Sequence, residues 1–296
     1  MNRFPKDLIQ AGTGTPRGVV SAARARLRAR TPALRGALLL AVGMTLAAGT
    51  ALLPRAAAAQ TILNTERFQL NQVDGPHLTA NLSFTGRRGN SEIFVADASG
   101  IAGILRGNHW TRLIFGGTYL SDGERSLLDA RFVQLRYSWS VRPRVQTFHF
   151  VQAQQNESLR LQSRWLVGSG AQAVVLRGDR SSLTLGTGAM LEFERLDPEA
   201  VAPGEATARD VVRMANLGVL RHETETGVRI LNIFYLQPRF DDLADLRVLN
   251  DLGVTVPLND QVRFTVSGEW RRDTRPPGEL ERDDLTLRMG ISLDFR

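Results

Sequence analysis

Few residues in this chain have types and spacings that could do chemistry. The four histidines, His77, His109, His149 and His222, show no HxxxH, HxH or ExxH spacing, so no metal site is expected. There is no cysteine, which excludes thiolate catalysis, disulfides and a lipoprotein anchor. A hydrolase at a membrane surface would need a serine, a histidine beside it and a group to orient the ring. Ser163 and Ser169 have no histidine placed beside them by the strand map below, and His149 reads as an interior or rim residue. What remains is charge. Arg160, Arg164, Glu192, Glu194, Arg247, Asp251, Glu269 and Arg288 fall on the polar side of alternating segments, with Arg213, Arg229, Arg271 and Asp294. Around an aqueous path, such mixed fixed charges would act on passing solutes. In a narrow interior they would instead pair with one another and fill it. The filled or narrowly gated interior is the preferred reading, and the chain is expected to be non-enzymatic, with no catalytic residue and no cofactor.

The elements that must carry these charges are strands. From Leu285 to Phe295 the odd positions read Leu, Leu, Met, Ile, Leu, Phe, and the even ones Thr, Arg, Gly, Ser, Asp. Such alternation puts every apolar side chain on one face. An ordinary strand runs ~5–6 residues, whereas a tilted transmembrane strand needs ~9–11. The same pattern recurs from Pro76 onward and gives twelve predicted strands. Among them are His77–Arg87, Trp110–Leu120, Leu127–Ser140, Val145–Gln155, Leu159–Leu176, Ser182–Glu194, Val211–Arg221 and Val228–Gln237. Gly100 and Gly103 suggest a bulge in the second, Ser91–Leu105. Val133, Leu135, Tyr137 and Trp139 should face outward, against Gln134, Arg136 and Ser138. Tyr137, Trp139 and Trp270 suit interfacial belts, although aromatics favour strands anyway.

Alternate turns are tight, as at Arg106-Gly107-Asn108, Arg142-Pro143-Arg144, Gly178-Asp179-Arg180, His222–Gly227 and Leu258-Asn259-Asp260. The intervening loops include the long Arg195–Arg209 and Asp273–Asp284, and QAQQNE (Gln152–Glu157) reads as a solvated hairpin on their rim. Short turns on one rim and longer loops on the other fit a single antiparallel outer-membrane barrel over 76–296, with the short turns periplasmic. A soluble sandwich or lipocalin-like barrel shares the alternation, but a continuous apolar outer face needs lipid to cover it.

The first 59 residues read as a secretory signal: a basic approach, the apolar run Ala37–Leu53, then AAAAQ. Removal after Ala59 would leave residues 60–75 as a short periplasmic lead-in. The leader holds nine of the 37 basic residues and one of the 30 acidic ones. The remainder, 28 against 29, is nearly neutral, so the net +7 of the whole chain gives no case for nucleic acid as a partner.

Several segments resemble the family of salt-induced outer-membrane proteins, bacterial barrels built on a domain of unknown function. They are GNSE (Gly89–Glu92), FVQAQQNESLRLQSRWLVGSG (Phe150–Gly170), FYLQPRFDDLADLRVLNDLGV (Phe234–Val254) and RDDLTLRMGISLDFR (Arg282–Arg296). The resemblance implies an exported barrel in the bacterial outer membrane and no established activity. The expected partners are outer-membrane lipid, the barrel assembly machinery through Leu285–Phe295, and small solutes. Arg296 departs from the family's habit of ending on the aromatic residue itself. The function expected is an envelope-structural barrel or a narrow, gated passive channel. The alternatives are a lipid-acting enzyme, or a ligand-binding or adhesion barrel using its long loops.

Overall fold

The computed structural model describes residues 62–68, 74–89, 92–123 and 125–293. The expected signal peptide and the last residues, Asp294 and Phe295 included, lie outside these. Thirteen strands form one antiparallel sheet: β1 (Gly75–Arg87), β2 (Ile93–Arg106), β3 (His109–Asp122), β4 (Arg125–Arg142), β5 (Val145–Asn156), β6 (Leu161–Arg177), β7 (Ser181–Leu196), β8 (Ala208–Met214), β9 (Asn216–Glu223), β10 (Arg229–Pro238), β11 (Leu246–Pro257), β12 (Val262–Asp273) and β13 (Asp283–Leu293). Each pairs with the next in the chain, except that β8 and β9 both pair with β7. These two share one register, Ala189 opposite Met214 and Gly186 opposite Leu217. The two strands are thus one predicted strand interrupted at Ala215, whose N–H still reaches Gly188 O at 2.9 Å. Thirteen elements therefore fill twelve positions. No described helix is long and apolar enough to cross a membrane, which has no bearing on strands.

Closure is the part of the expected barrel that does not emerge. Among the described residues no ladder joins β1 to β13. Both are edge strands with nearly every residue exposed or half-exposed on either face. The sheet nevertheless curls. Asn64 Nδ2 donates to Asp251 Oδ2 on β11 at 2.5 Å, while the adjacent Thr65 accepts from Arg136 on β4. Those two strands stand six positions apart in the sheet.

The expected bulge in β2 is also absent: the ladders through Gly100 and Gly103 are continuous on both sides. These glycines make room instead. A Cβ on Gly100 would meet the Phe115 ring, and one on Gly103 the His77 ring. The device recurs, with Phe132 opposite Gly116, Phe150 opposite Gly168 and Phe148 opposite Gly170. An aromatic ring laid across a facing glycine covers backbone the glycine leaves bare.

Burial is inverted relative to a soluble protein. The buried face carries Arg112, Arg136, Arg164, Glu192, Glu194, Arg213, Arg247, Asp251 and Glu269, each no more than 5 % exposed. The other face shows Leu135, Trp165, Val167, Leu185 and Leu191, each more than 40 % exposed. Charged residues are almost never fully buried unless paired, so the pairing on the inner face determines what this sheet can do.

Candidate functional site

Four of the charges singled out in the sequence converge. β6 supplies Arg164, β7 Glu192 and Glu194, and β11 Arg247; alternation puts all four on the inner face. Arg247 Nη1 donates to both oxygens of Glu192 at 2.8 and 2.7 Å, its Nη2 to Glu194 at 3.1 Å and its Nε to Asp273 at 2.9 Å. Arg164 grips Glu194, with Nε to Oε2 at 2.9 Å. Arg213 lies 3.3 Å from Glu192 and donates to Asp245 at 2.9 Å. With every carboxylate held by at least one guanidinium fork, the cost of taking these charges out of water is met by charge-assisted bonds.

The network extends into the long-loop rim. Arg209 Nη2 donates to Glu205 at 2.6 Å, and Glu205 accepts from Gly278 N–H at 2.9 Å. This ties the 197–207 loop to the 274–282 loop. Above them, Leu159, Leu161 and Leu196 form a cluster with Val201 and Leu280. Beside it, in the 239–245 loop, Arg239 donates to Asp241 and to Asp245. The hydrogen bonds with Arg239 hold the Asp241 carboxyl below its ordinary range and raise the guanidinium above its own. The long loops are pinned across one end of the inner face.

The other singled-out charges lie elsewhere. Asp251 receives Asn64, and Glu269 pairs with Arg271 on its own strand. Arg288 lies on exposed β13. Arg160, expected on the polar face of the sixth strand, sits instead in the turn before it, in the left-handed conformation (φ 58°), with its guanidinium on Ala200 O. The 3₁₀ turn Glu157–Leu159, capped by Asn156, delays the strand by two residues.

Three features escaped the sequence reading. QAQQNE is no solvated hairpin: Gln152, Gln154 and Asn156 are buried. Gln134 donates to Gln152, and Gln152 to Gln154, both at 2.7 Å. Alternation alone assigns Gln152, Gln154 and Asn156 to the face of Phe148 and Phe150; that this face is the inner one is a finding of the structure. Second, residues 62–66, within the expected lead-in, pack on the inner face. Ile62 joins Leu217, Val219, Ile233, Tyr235 and Leu249, and Glu66 pairs with Arg136 at 3.3 Å. A cavity of about 50 Å³ remains beside them, lined by Thr65, Gln134, Arg136, Gln152, Tyr235 and Gln237 among others. It has room for a few waters at most.

The third is a correction. His149 is neither interior nor at a rim: it lies on the outward face directly opposite Ser169, with Nδ1 2.9 Å from Oγ. The map failed because it fixed strand ends, not register. The ring stacks on Tyr137, whose hydroxyl meets His109 Nδ1 at 2.6 Å. A groove of about 440 Å³ adjoins them, lined by Leu135, Val151, Val167, Leu191 and Val212. Both partners sit within ladders, so nearby backbone N–H groups are engaged in the sheet, whereas an oxyanion hole needs free donors aimed at one point.

No curated protein sequence matches the chain. A solved structure titled "Bacterial polysaccharide outer membrane secretin" is similar at 9% identity and a TM-score of 0.40, over 75% of this chain and 91% of that one. The family described as "Protein of unknown function, DUF481" matches residues 80–295, so the chain belongs to that family.

Proposed function

We propose that this protein is a non-enzymatic barrel of the bacterial outer membrane, its interior filled by its own side chains and shut to solutes in the conformation described. The observation that carries this reading is the inversion of burial: guanidinium and carboxylate groups inside, leucine, valine and tryptophan outside. Monomeric soluble proteins rarely expose a contiguous apolar patch beyond a few hundred Å². Here the apolar face runs over strand after strand, and hydrocarbon is the medium it suits. In a bilayer the outer edges of β1 and β13 would have to pair, because unpaired backbone groups are not tolerated in lipid. Closure is therefore part of the proposal. The row Leu285, Leu287, Met289, Ile291 on β13 would face lipid and offer its edge to the assembly machinery.

Heat-modifiable gel mobility tests this. Protein extracted from outer membranes in mild detergent should migrate faster unboiled than boiled, and its mature form should stay with the membrane fraction. Mature protein recovered freely soluble from the periplasm would overturn the reading.

One observation favours a second reading, an enzyme acting on lipid: the Ser169–His149 pair beside an apolar groove on the lipid-facing surface. The bland account is that two polar groups in an apolar setting satisfy one another. Lipid turnover by purified protein in mixed micelles separates the two. Turnover abolished by Ser169→Ala and by His149→Ala would establish the enzyme; no turnover in the parent chain would remove it.

A further inference from the structure

Arg112 on β3 and Arg136 on β4 stand directly opposite one another, and both are buried, at 1 % and 5 % exposure. Like charges so placed, with Cβ atoms ~4.5–5.5 Å apart, repel, and there is little water to screen them. Each guanidinium has an aromatic ring beneath it: Arg112 lies 3.7 Å from the Trp110 ring centroid and Arg136 4.9 Å from that of Phe148. Cation–π contact eases desolvation but leaves the charge in place. Arg112 otherwise donates to the Ser138 hydroxyl at 3.4 Å, a long bond to a neutral acceptor.

The carboxylate that answers this pair comes from outside the sheet. Glu66, 4 % exposed, lies 3.3 Å from Arg136 Nη1, and Thr65 Oγ1 accepts from the same nitrogen at 3.4 Å. Glu66 is also an electrostatic neighbour of Arg112. Among the described residues, one carboxylate faces two guanidinium groups in this pocket. Its segment joins no strand: among the described residues Thr65–Phe68 forms a single 3₁₀ turn and no ladder with the sheet. Ile62 and Asn64 are the other anchors. Side-chain contacts of this kind can be exchanged for those of a solute without disturbing the sheet.

We infer that the Arg112–Arg136 pair is a binding site for a small carboxylate. Glu66 is its tethered occupant, and the segment Ile62–Phe68 keeps the interior shut until it withdraws. This rests on the barrel reading above, and it identifies both the moving part and the chemical class of the solute. Forked N–H donors suit a planar carboxylate, and Gln134 and Gln152, among the residues lining the adjoining cavity, offer further hydrogen bonds.

The test is conductance of the full chain in planar bilayers, with sodium succinate as the probe. The parent protein should stay near background. Deletion of 62–68 should give a steady current, anion-selective by reversal potential in a potassium chloride gradient and blocked by succinate. Adding Arg136→Gln to the deletion should weaken that block by about tenfold, the loss expected from one charge-assisted bond. Glu66→Gln in the intact chain should give intermittent openings. A silent deletion variant that keeps its heat-modifiable mobility would overturn the proposal. So would a cation-selective current, or a block that Arg136→Gln leaves unchanged. Should the deletion variant lose its mobility shift, Glu66→Gln decides: openings support the proposal, and silence overturns it. A parent chain that itself lacks the shift sinks the barrel reading instead, so the two failures are distinguishable.

Discussion

At the scale of single residues, Arg247 has the most to lose. It holds Glu192, Glu194 and Asp273 together, and all three carboxylates are buried. Arg247→Ala would leave Glu192 to Arg213 and Arg164, Glu194 to Arg164 and Arg209, and Asp273 to the Arg275 N–H. Removing one member of a buried pair typically costs about 3–5 kcal/mol, because the remaining charge has no water to return to. The expected result is a marked fall in the urea midpoint of the detergent-folded protein. Arg247→Lys should recover part of that loss, since an ammonium keeps the charge without the planar fork. Arg229→Ala is the control: its contact with Glu223 is 3.5 Å long and exposed on both sides, and such pairs contribute about 0–1 kcal/mol. A midpoint that moved equally in Arg247→Ala and Arg229→Ala would mean that the network is ornamental.

At the scale of elements, the strands were legible because period-2 patterning leaves a mark on every residue. The alternation through Leu183–Phe193 and Leu246–Val256 sorted Glu192, Glu194, Arg247 and Asp251 to one face without any knowledge of pairing. What could not be read was register and anything held by side chains alone. Ser169 and His149 lie 20 residues apart in the chain, and only the offset of the β5–β6 ladder makes them neighbours. Residues 62–66 have no periodicity, so nothing marked them as interior. Arg136 read as one polar position among several and Arg112 was not singled out; their opposition is a property of the β3–β4 ladder. The glycines were legible as special and misjudged in kind, since a bulge and a bed for an aromatic ring look alike in sequence. Gly170 makes the distinction testable. A Cβ there would collide with Thr187 O, the Phe148 ring and Gly188 Cα, whereas at Gly253 the nearest atom is 3.9 Å away. Gly170→Ala should therefore destabilise by about 1–3 kcal/mol, the usual cost of overpacking, with a lower denaturant midpoint as readout. Gly253→Ala should be close to neutral. A neutral Gly170→Ala would show that both the Phe148 ring and the β7 backbone at Thr187 and Gly188 give way, and that packing across β6 is loose there.

At the scale of the whole molecule, the two faces of the sheet would meet two different solvents in an outer-membrane barrel, and β13 lets each be probed with one residue. Leu287 and Thr286 are neighbours on this strand and point to opposite faces. Leu287 stands beside Gly268 on β12 and is 63% exposed, among a row of equally exposed apolar side chains. Thr286 stands opposite Glu269, on the face where Arg271 and Asp251 lie. In water the two positions would tolerate arginine about equally, for both are at an open edge. In a bilayer they would not. An arginine on the lipid side of a strand costs about 2–4 kcal/mol near the midplane, while one on the inner side joins a surface already built of charge and is placed beside a carboxylate. Leu287→Arg should thus lower the yield of heat-modifiable protein on refolding into phospholipid vesicles, and Thr286→Arg should leave it nearly unchanged. Refolding the same pair in detergent micelles, which deform around a charge more readily than a bilayer, should narrow the gap. Equal yields for the two variants in vesicles would mean that no hydrocarbon touches this face. The exposed leucines of β13 would then have to be covered by protein, and the membrane reading would fail with them.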